Sequence, residues 1–187
     1  MNTSALAQRL IQPQSVSGNA YLSFQLNERT PALFAMNQVQ EVIFTPAQQI
    51  TPMPNMPPCV LGLSTRRSRV MWVVDLAHML LGSPLPLNIR NYTVVIVRVA
   101  QILQQPNMLL ATTHSQALLG LIVPAMKGVI RFSPELIQRP QGHFSPSLMP
   151  CLRGCLLQQN DMLLVLDAEA IAHSPILQSP QDSRLTT

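Results

Sequence analysis

Two aspartates, Asp75 and Asp167, close apolar runs that begin at Gly62 and Gly154. Each lies thirteen residues beyond its glycine, and each glycine follows a Pro-Cys pair: Pro58-Cys59-Val60-Leu61-Gly62 and Pro150-Cys151-Leu152-Arg153-Gly154. Two carboxylates on related lobes, brought within about 3 Å of one another, can share a proton and act as general acid and base. That chemistry needs each Asp to be followed by Ser or Thr and then Gly, on tight hydrogen-bonded turns. Here the continuations are Asp75-Leu76-Ala77 and Asp167-Ala168-Glu169. Each aspartate falls instead between a strand-like run and a short helical one, where a carboxylate caps the first free N–H groups. The pattern predicts two helix caps, and a two-lobed hydrolase is the weakest functional reading.

The remaining reactive side chains form no set. Cys59 stands alone, and Cys151 and Cys155 are spaced i, i+4 without a neighbouring histidine or second cysteine pair. They read as free thiols acting as small buried hydrophobes. The histidines at 78, 114, 143 and 173 are far apart, none paired at i+3 or i+4. Neither a Gly-rich phosphate loop nor a nucleophile elbow occurs among the seven glycines. The expectation is no catalytic site, no metal and no cofactor.

Arg66-Arg67-Ser68-Arg69 is different. Three arginines lie in a strand-to-strand turn, between Gly62 and the apolar run Val70-Met71-Trp72-Val73-Val74. Arginine beside an apolar surface is the composition of a protein–protein hot spot, and equally of a solvated turn. A basic turn can also bind nucleic acid, which is the alternative reading. It lacks the usual basic stripe interleaved with aromatics.

The elements that must position these residues repeat. The offset between copies is constant: 150−58, 151−59, 154−62 and 167−75 all equal 92. This is the mark of an internal duplication. Upstream, Val42-Ile43-Phe44-Thr45-Pro46 resembles Val129-Ile130-Arg131-Phe132-Ser133-Pro134 once one residue is inserted. Short apolar runs broken by proline-bearing turns mark an all-β chain. Strands are predicted at Tyr21–Leu26, Pro31–Met36, Val39–Phe44, Val60–Ser64 and Val70–Val74. Others follow at Tyr92–Val99, Ala117–Val123, Gly128–Phe132, Leu152–Leu157 and Met162–Leu166. Short helices are expected at 76–81, ended by Gly82, and at 168–173. Each lobe then runs as a strand pair, a proline-rich crossing and a Gly-to-Asp strand pair, giving two small barrels of five strands.

Composition bounds the rest. A chain of 187 residues that is 47% hydrophobic and 11% charged buries a sizeable core and is not disordered overall. The longest uncharged apolar stretch, 117–126, holds Gly120 and Pro124 and falls short of the ~20 residues a bilayer span needs. No signal-peptide pattern opens the chain, so a cytoplasmic protein without membrane insertion is expected. The net charge of +4 comes from scattered arginines, eleven of the twelve basic residues. Residues 1–18 read as a flexible arm, 19–173 as the folded domain and 174–187 as a flexible tail.

Taken together, the motifs resemble the CheW family of chemotaxis coupling proteins over roughly residues 19–172. That family's first lobe reads Val-x-Glu-Ile/Val, a Pro-rich crossing, then Gly-Val-x-Asn-Leu-Arg-Gly-x-Ile/Val-x-Pro-Val-Val-Asp-Leu. Val39-Gln40-Glu41-Val42, Pro57-Pro58 and the run from Gly62 to Leu76 fall on it, without gaps after Gly62. In the second lobe the matches are 93–97, 119–123 and 154–167. The resemblance implies two intertwined five-stranded SH3-like β-barrels with short helices and a hydrophobic groove between them. It implies a non-catalytic adaptor, located in the cytoplasm at receptor arrays on the inner membrane. The adaptor binds the cytoplasmic tip of methyl-accepting chemoreceptors and the regulatory domain of a CheA-type histidine kinase. Carried over, Glu41, Gly62 and Arg67 match the family's contact region, with Val39 and Val42 lining its apolar part and Arg66 beside them. Three departures point to a specialised system, such as one governing pilus-based or phototactic motility. Ser68 replaces the turn glycine, Trp72 the strand proline, and Pro124 the aspartate after the Gly-Leu strand.

Overall fold

The computed structural model describes residues 18–86, 89–100, 116–140, 142–158 and 161–178. Ten strands dominate: β1 (Asn19–Asn27), β2 (Thr30–Ala35), β3 (Val39–Pro46), β4 (Val60–Arg66), β5 (Arg69–Asp75), β6 (Asn91–Ala100), β7 (Gln116–Val123), β8 (Ala125–Phe132), β9 (Leu152–Gln158) and β10 (Asp161–Leu166). Three short helices join them: α1 (Leu76–Leu81), α2 (Ala168–Ala172) and α3 (Pro175–Gln178). None of the described helices is long and apolar enough to cross a membrane.

The strands form two five-stranded sheets, ordered β8-β1-β2-β10-β9 and β3-β6-β7-β5-β4. Position by position the orders correspond: β8 with β3, β1 with β6, β2 with β7, β10 with β5 and β9 with β4. Each sheet therefore takes two strands from one sequence repeat and three from the other. The repeats are thus intertwined, as the resemblance implies, whereas the order of motifs along the chain read as one lobe per repeat. The join is a parallel pairing in both sheets, β2 with β10 (Val165 opposite Leu33) and β5 with β7 (Val73 opposite Gly120).

Each sheet curls so that its first and last strands approach. The chain leaving β3 crosses to β4, where the N–H of Thr51 donates to the carbonyl of Leu63 (2.7 Å) and the reverse bond closes at 2.9 Å. In the other sheet Gln138 and Cys155 exchange the same two bonds at 2.8 and 2.9 Å. These bridges fix the alignment of the repeats. Thr51 to Gln138 is an offset of 87 and Leu63 to Cys155 one of 92, so Val42-Ile43-Phe44-Thr45 superposes on Val129-Ile130-Arg131-Phe132 without the expected insertion. The five extra residues lie later, in the second crossing.

The bridges also explain the signature glycines. A Cβ on Gly62 would run into the carbonyl oxygen of Thr51, and Gly62 has φ +141° besides. A Cβ on Gly154 would collide with the Ile137 side chain and lie 2.7 Å from the carbonyl oxygen of Gln138. Only glycine lets the crossing segment lie this close to the strand.

Strand periodicity distributes the apolar residues among three cores. On β6, Val94 and Ile96 face the interior of their own sheet, while Val95, Val97 and Val99 face a core shared by both sheets. On β10, Leu163 and Val165 point into their sheet, and Leu164 and Leu166 into the shared core. Strands buried on both faces read as continuous apolar runs, which is why 92–99 is so uniformly β-branched. Helices α1 and α2 add Leu76, Met79, Leu80, Ala168, Ile171 and Ala172 to the shared core. Residues 175–178, placed in the terminal tail by sequence, form α3, and Ile176 and Leu177 pack on the same core. Of the arm expected over 1–18, only Gly18 lies within the described residues.

Candidate partner-binding surface

Both aspartates cap helices. Asp75, 3% exposed, accepts from the N–H of His78 through Oδ1 (3.0 Å) and from the N–H of Leu85 through Oδ2 (2.9 Å). Asp167 Oδ1 accepts from the N–H groups of Glu169 (2.9 Å) and Ala170 (3.3 Å) and from Gln38 Nε2 (3.3 Å). The Pro-Cys pairs complete the frame. Cys59 accepts the Asp75 N–H at 2.7 Å and Cys151 the Asp167 N–H at 2.9 Å, both through the backbone carbonyl. The three thiols are free and buried. Loss of hydration pushes those of Cys59 and Cys151 up to about 11, so they stay protonated. Among the described residues no group of three or more His, Cys, Asp or Glu side chains could hold a metal ion.

The arginine turn is the tip of the β4–β5 hairpin. Arg66 and Arg69 are paired across it, leaving Arg67 and Ser68 as a two-residue loop with φ of 49° and 62°. Positive φ at both positions is the type I′ geometry, for which Asn-Gly is the preferred sequence. A residue with a Cβ costs on the order of 1 kcal/mol in that region. The turn is therefore held in a strained shape that displays Arg67, whose side chain is 71% exposed.

Across from this tip stands Glu41 on β3, the opposite edge of the same sheet. Its Oε2 accepts from Arg66 Nη2 at 2.7 Å and Nε at 3.3 Å, and from Arg67 Nη2 at 3.5 Å. The Arg66 hydrogen bond holds the Glu41 carboxyl below its ordinary range, aided by the charges of Arg66 and Arg67 and opposed by burial. The cluster thus ties the two edges of the sheet together over the tip. It also neutralises part of the basic turn, which weakens the electrostatic case for a nucleic-acid surface.

The expected site residues divide. Glu41, Arg66 and Arg67 converge, and Val42 lies beside them, exposed on the edge strand β3. Val39, 6% exposed, belongs to the shared core, and Gly62 is buried under Thr51, so both support the surface from behind. Two residues escaped the sequence reading: Phe44, 79% exposed on β3, and Val70, exposed next to Arg69 on β5. The i, i+2 spacing of Val42 and Phe44 was the available signal, since residues so spaced share one face of a strand. Trp72 is half-buried against the shared core. The second repeat carries its own exposed apolar residues, with Val129 on β8 at the place of Val42 and Leu157 paired with Met162 on the β9–β10 hairpin. Gln159 and Asn160, at that hairpin's turn, lie outside the described residues.

Residues 20–175 match the CheW-like domain. The chain belongs to the CheW-like domain family. Its structure is similar to the crystal structure of the scaffolding protein TtCheW from Thermoanaerobacter tengcongensis, with a TM-score of 0.64. That match covers 82% of this chain and 92% of the other at 20% sequence identity, which establishes a common fold. No curated protein matches the chain. Ser68 lies in the strained tip with φ 62°, and Pro124 lies at the break between β7 and β8.

Proposed function

We propose that this protein is a non-catalytic adaptor that couples methyl-accepting chemoreceptors to a CheA-type histidine kinase, in chemotaxis or a related motility pathway. The observation that carries the reading is the junction of Glu41, Arg66 and Arg67. It is a rigid, charge-fixed knuckle flanked by the exposed apolar Val42, Phe44 and Val70. Aromatic and arginine side chains set against an apolar patch are the residues that dominate protein–protein binding energy. Membership of the CheW-like family and the likeness to a scaffolding protein support a partner surface there. A kinase regulatory domain of the same fold would meet this surface apolar edge to apolar edge, with Arg67 setting the register.

The test is capture of a CheA-type kinase regulatory domain by purified protein, with Arg67→Glu and Phe44→Asp as variants. Both should lose binding by at least about tenfold, as a hot-spot residue does. Their thermal midpoints should stay close to that of the parent, because both side chains are solvent-exposed. Unchanged capture by both variants would remove this face from the interaction.

A further inference from the structure

The second sheet also has a place where its edges approach, and there the charges are not matched. A cleft of about 630 Å³ opens between the ends of β1 and β2, the outer face of β8 and the start of β9. Arg131 enters from β8 and Arg153 from β9, both exposed, with Asn19 and Asn37 on the rim and Met36 and Ile137 on the wall. Among the described residues no Asp or Glu lines it and no acidic side chain pairs with either arginine. The chain has eight acidic residues, and of these only Asp182 lies outside the described residues. Residues 1–17, which precede Gly18 in sequence, contain Arg9 and no acid. Two like charges facing one concavity repel, and the chain does little to relieve them.

We infer that this cleft is a binding site for a small phosphate-bearing molecule, a phosphate monoester or nucleotide. Three features fix the class. The guanidinium fork matches the oxygens of a phosphate and forms paired charge-assisted bonds with it. A terminal phosphate carries about −1.5 to −2 at neutral pH, which balances two arginines where a single carboxylate does not. The cleft has the size of a small-molecule site, and its Asn amides and Met36–Ile137 wall suit the polar and apolar parts of an organic body. Arg131 occupies the position of Phe44 in the first repeat and Arg153 that of Leu61, so the duplication itself does not supply this pair. The site stands apart from the Glu41–Arg67 junction and does not depend on the adaptor reading.

The experiment uses the full chain, with adenosine monophosphate and inorganic pyrophosphate as probes, followed by calorimetry and thermal unfolding at matched ionic strength. The expected result is saturable binding and a rise in the unfolding midpoint. The Arg131→Gln, Arg153→Gln double variant should bind at least about tenfold more weakly, the loss expected for charge-assisted bonds. The Arg131→Lys, Arg153→Lys variant keeps the charge without the fork and should fall between them, which also guards against misfolding of the neutral variant. Three outcomes overturn the proposal: no binding of either probe to the parent chain, equal binding by the neutral double variant, or binding of a Glu-rich peptide while both phosphates fail.

Discussion

At the edge of one sheet Glu41 receives Arg66 and Arg67, and the tip of the hairpin is locked to β3. The positions that correspond in the other sheet, 87 and 92 residues on, are Gly128 and Gln158, and the edges there are dressed with Arg131 and Arg153 instead. The residues that build the backbone have not diverged in this way. Gly62 and Gly154, Cys59 and Cys151, and Asp75 and Asp167 each perform the same structural task twice. Duplication preserved what the chain needs to close each sheet and released the side chains that face outward. The asymmetry, not the repeat, marks the surfaces available for recognition.

The glycines give the sharpest way to break the comparison. Gly62→Ala forces a Cβ into the Thr51 backbone at a φ that L-residues avoid, and should cost about 3 kcal/mol or more in urea unfolding. Gly154→Ala should cost less, because its φ is not in the positive region and the backbone carbonyl its Cβ meets, that of Gln138, lies at 2.7 Å, farther off than that of Thr51 from a Cβ on Gly62. Equal losses would mean that the two crossings are equally rigid. The caps come next. Asp75→Ala removes a buried carboxylate that serves two N–H groups from separate segments and should cost about 2 kcal/mol, against about 1 kcal/mol for the more exposed Asp167→Ala.

Smaller effects probe the strained tip. Ser68→Gly restores the residue type that a positive φ favours and should stabilise the protein by about 0.5–1 kcal/mol, read from the same denaturation curves. Glu41→Gln should lower stability by about 1 kcal/mol or less, the scale of an ion pair open to solvent on its arginine side. Its pH dependence carries the sign. The carboxyl is depressed in the folded state, so its contribution is complete above the ordinary value of 4.5 and fades as pH falls through the folded pKa. The gap between parent and Glu41→Gln should therefore be present at pH 7 and narrow in acid, and a gap that widens in acid would contradict the ion pair.

Much of the fold was legible because it is written locally. Turn prolines, alternation and the 92-residue offset placed all ten strands, and the position of each aspartate between strand and helix identified a cap. What could not be read is which strands pair. Periodicity does not tell that the neighbour of β2 is β10, some 130 residues away, so the exchange between repeats came from the family resemblance and not from the pattern. The Glu41–Arg66 contact spans 25 residues and two sheet edges, and no spacing rule reaches that far. Resemblance brought Val39 and Gly62 into the site along with Glu41 and Arg67, and only burial separated the supports from the surface. Arg131 and Arg153 looked scattered because they come to one cleft from two strands, β8 and β9, 22 residues apart in sequence.

The shared parentage of each sheet says something about descent. A chain carrying a single repeat would own two strands that fit one sheet and three that fit another, and could complete neither alone. Two copies of such a chain would each lend their first two strands to the other, as a domain-swapped homodimer does. The present molecule has the topology of such a dimer joined into one chain between α1 and β6. In a single chain the two halves need not be the same, as they must be in a symmetric homodimer.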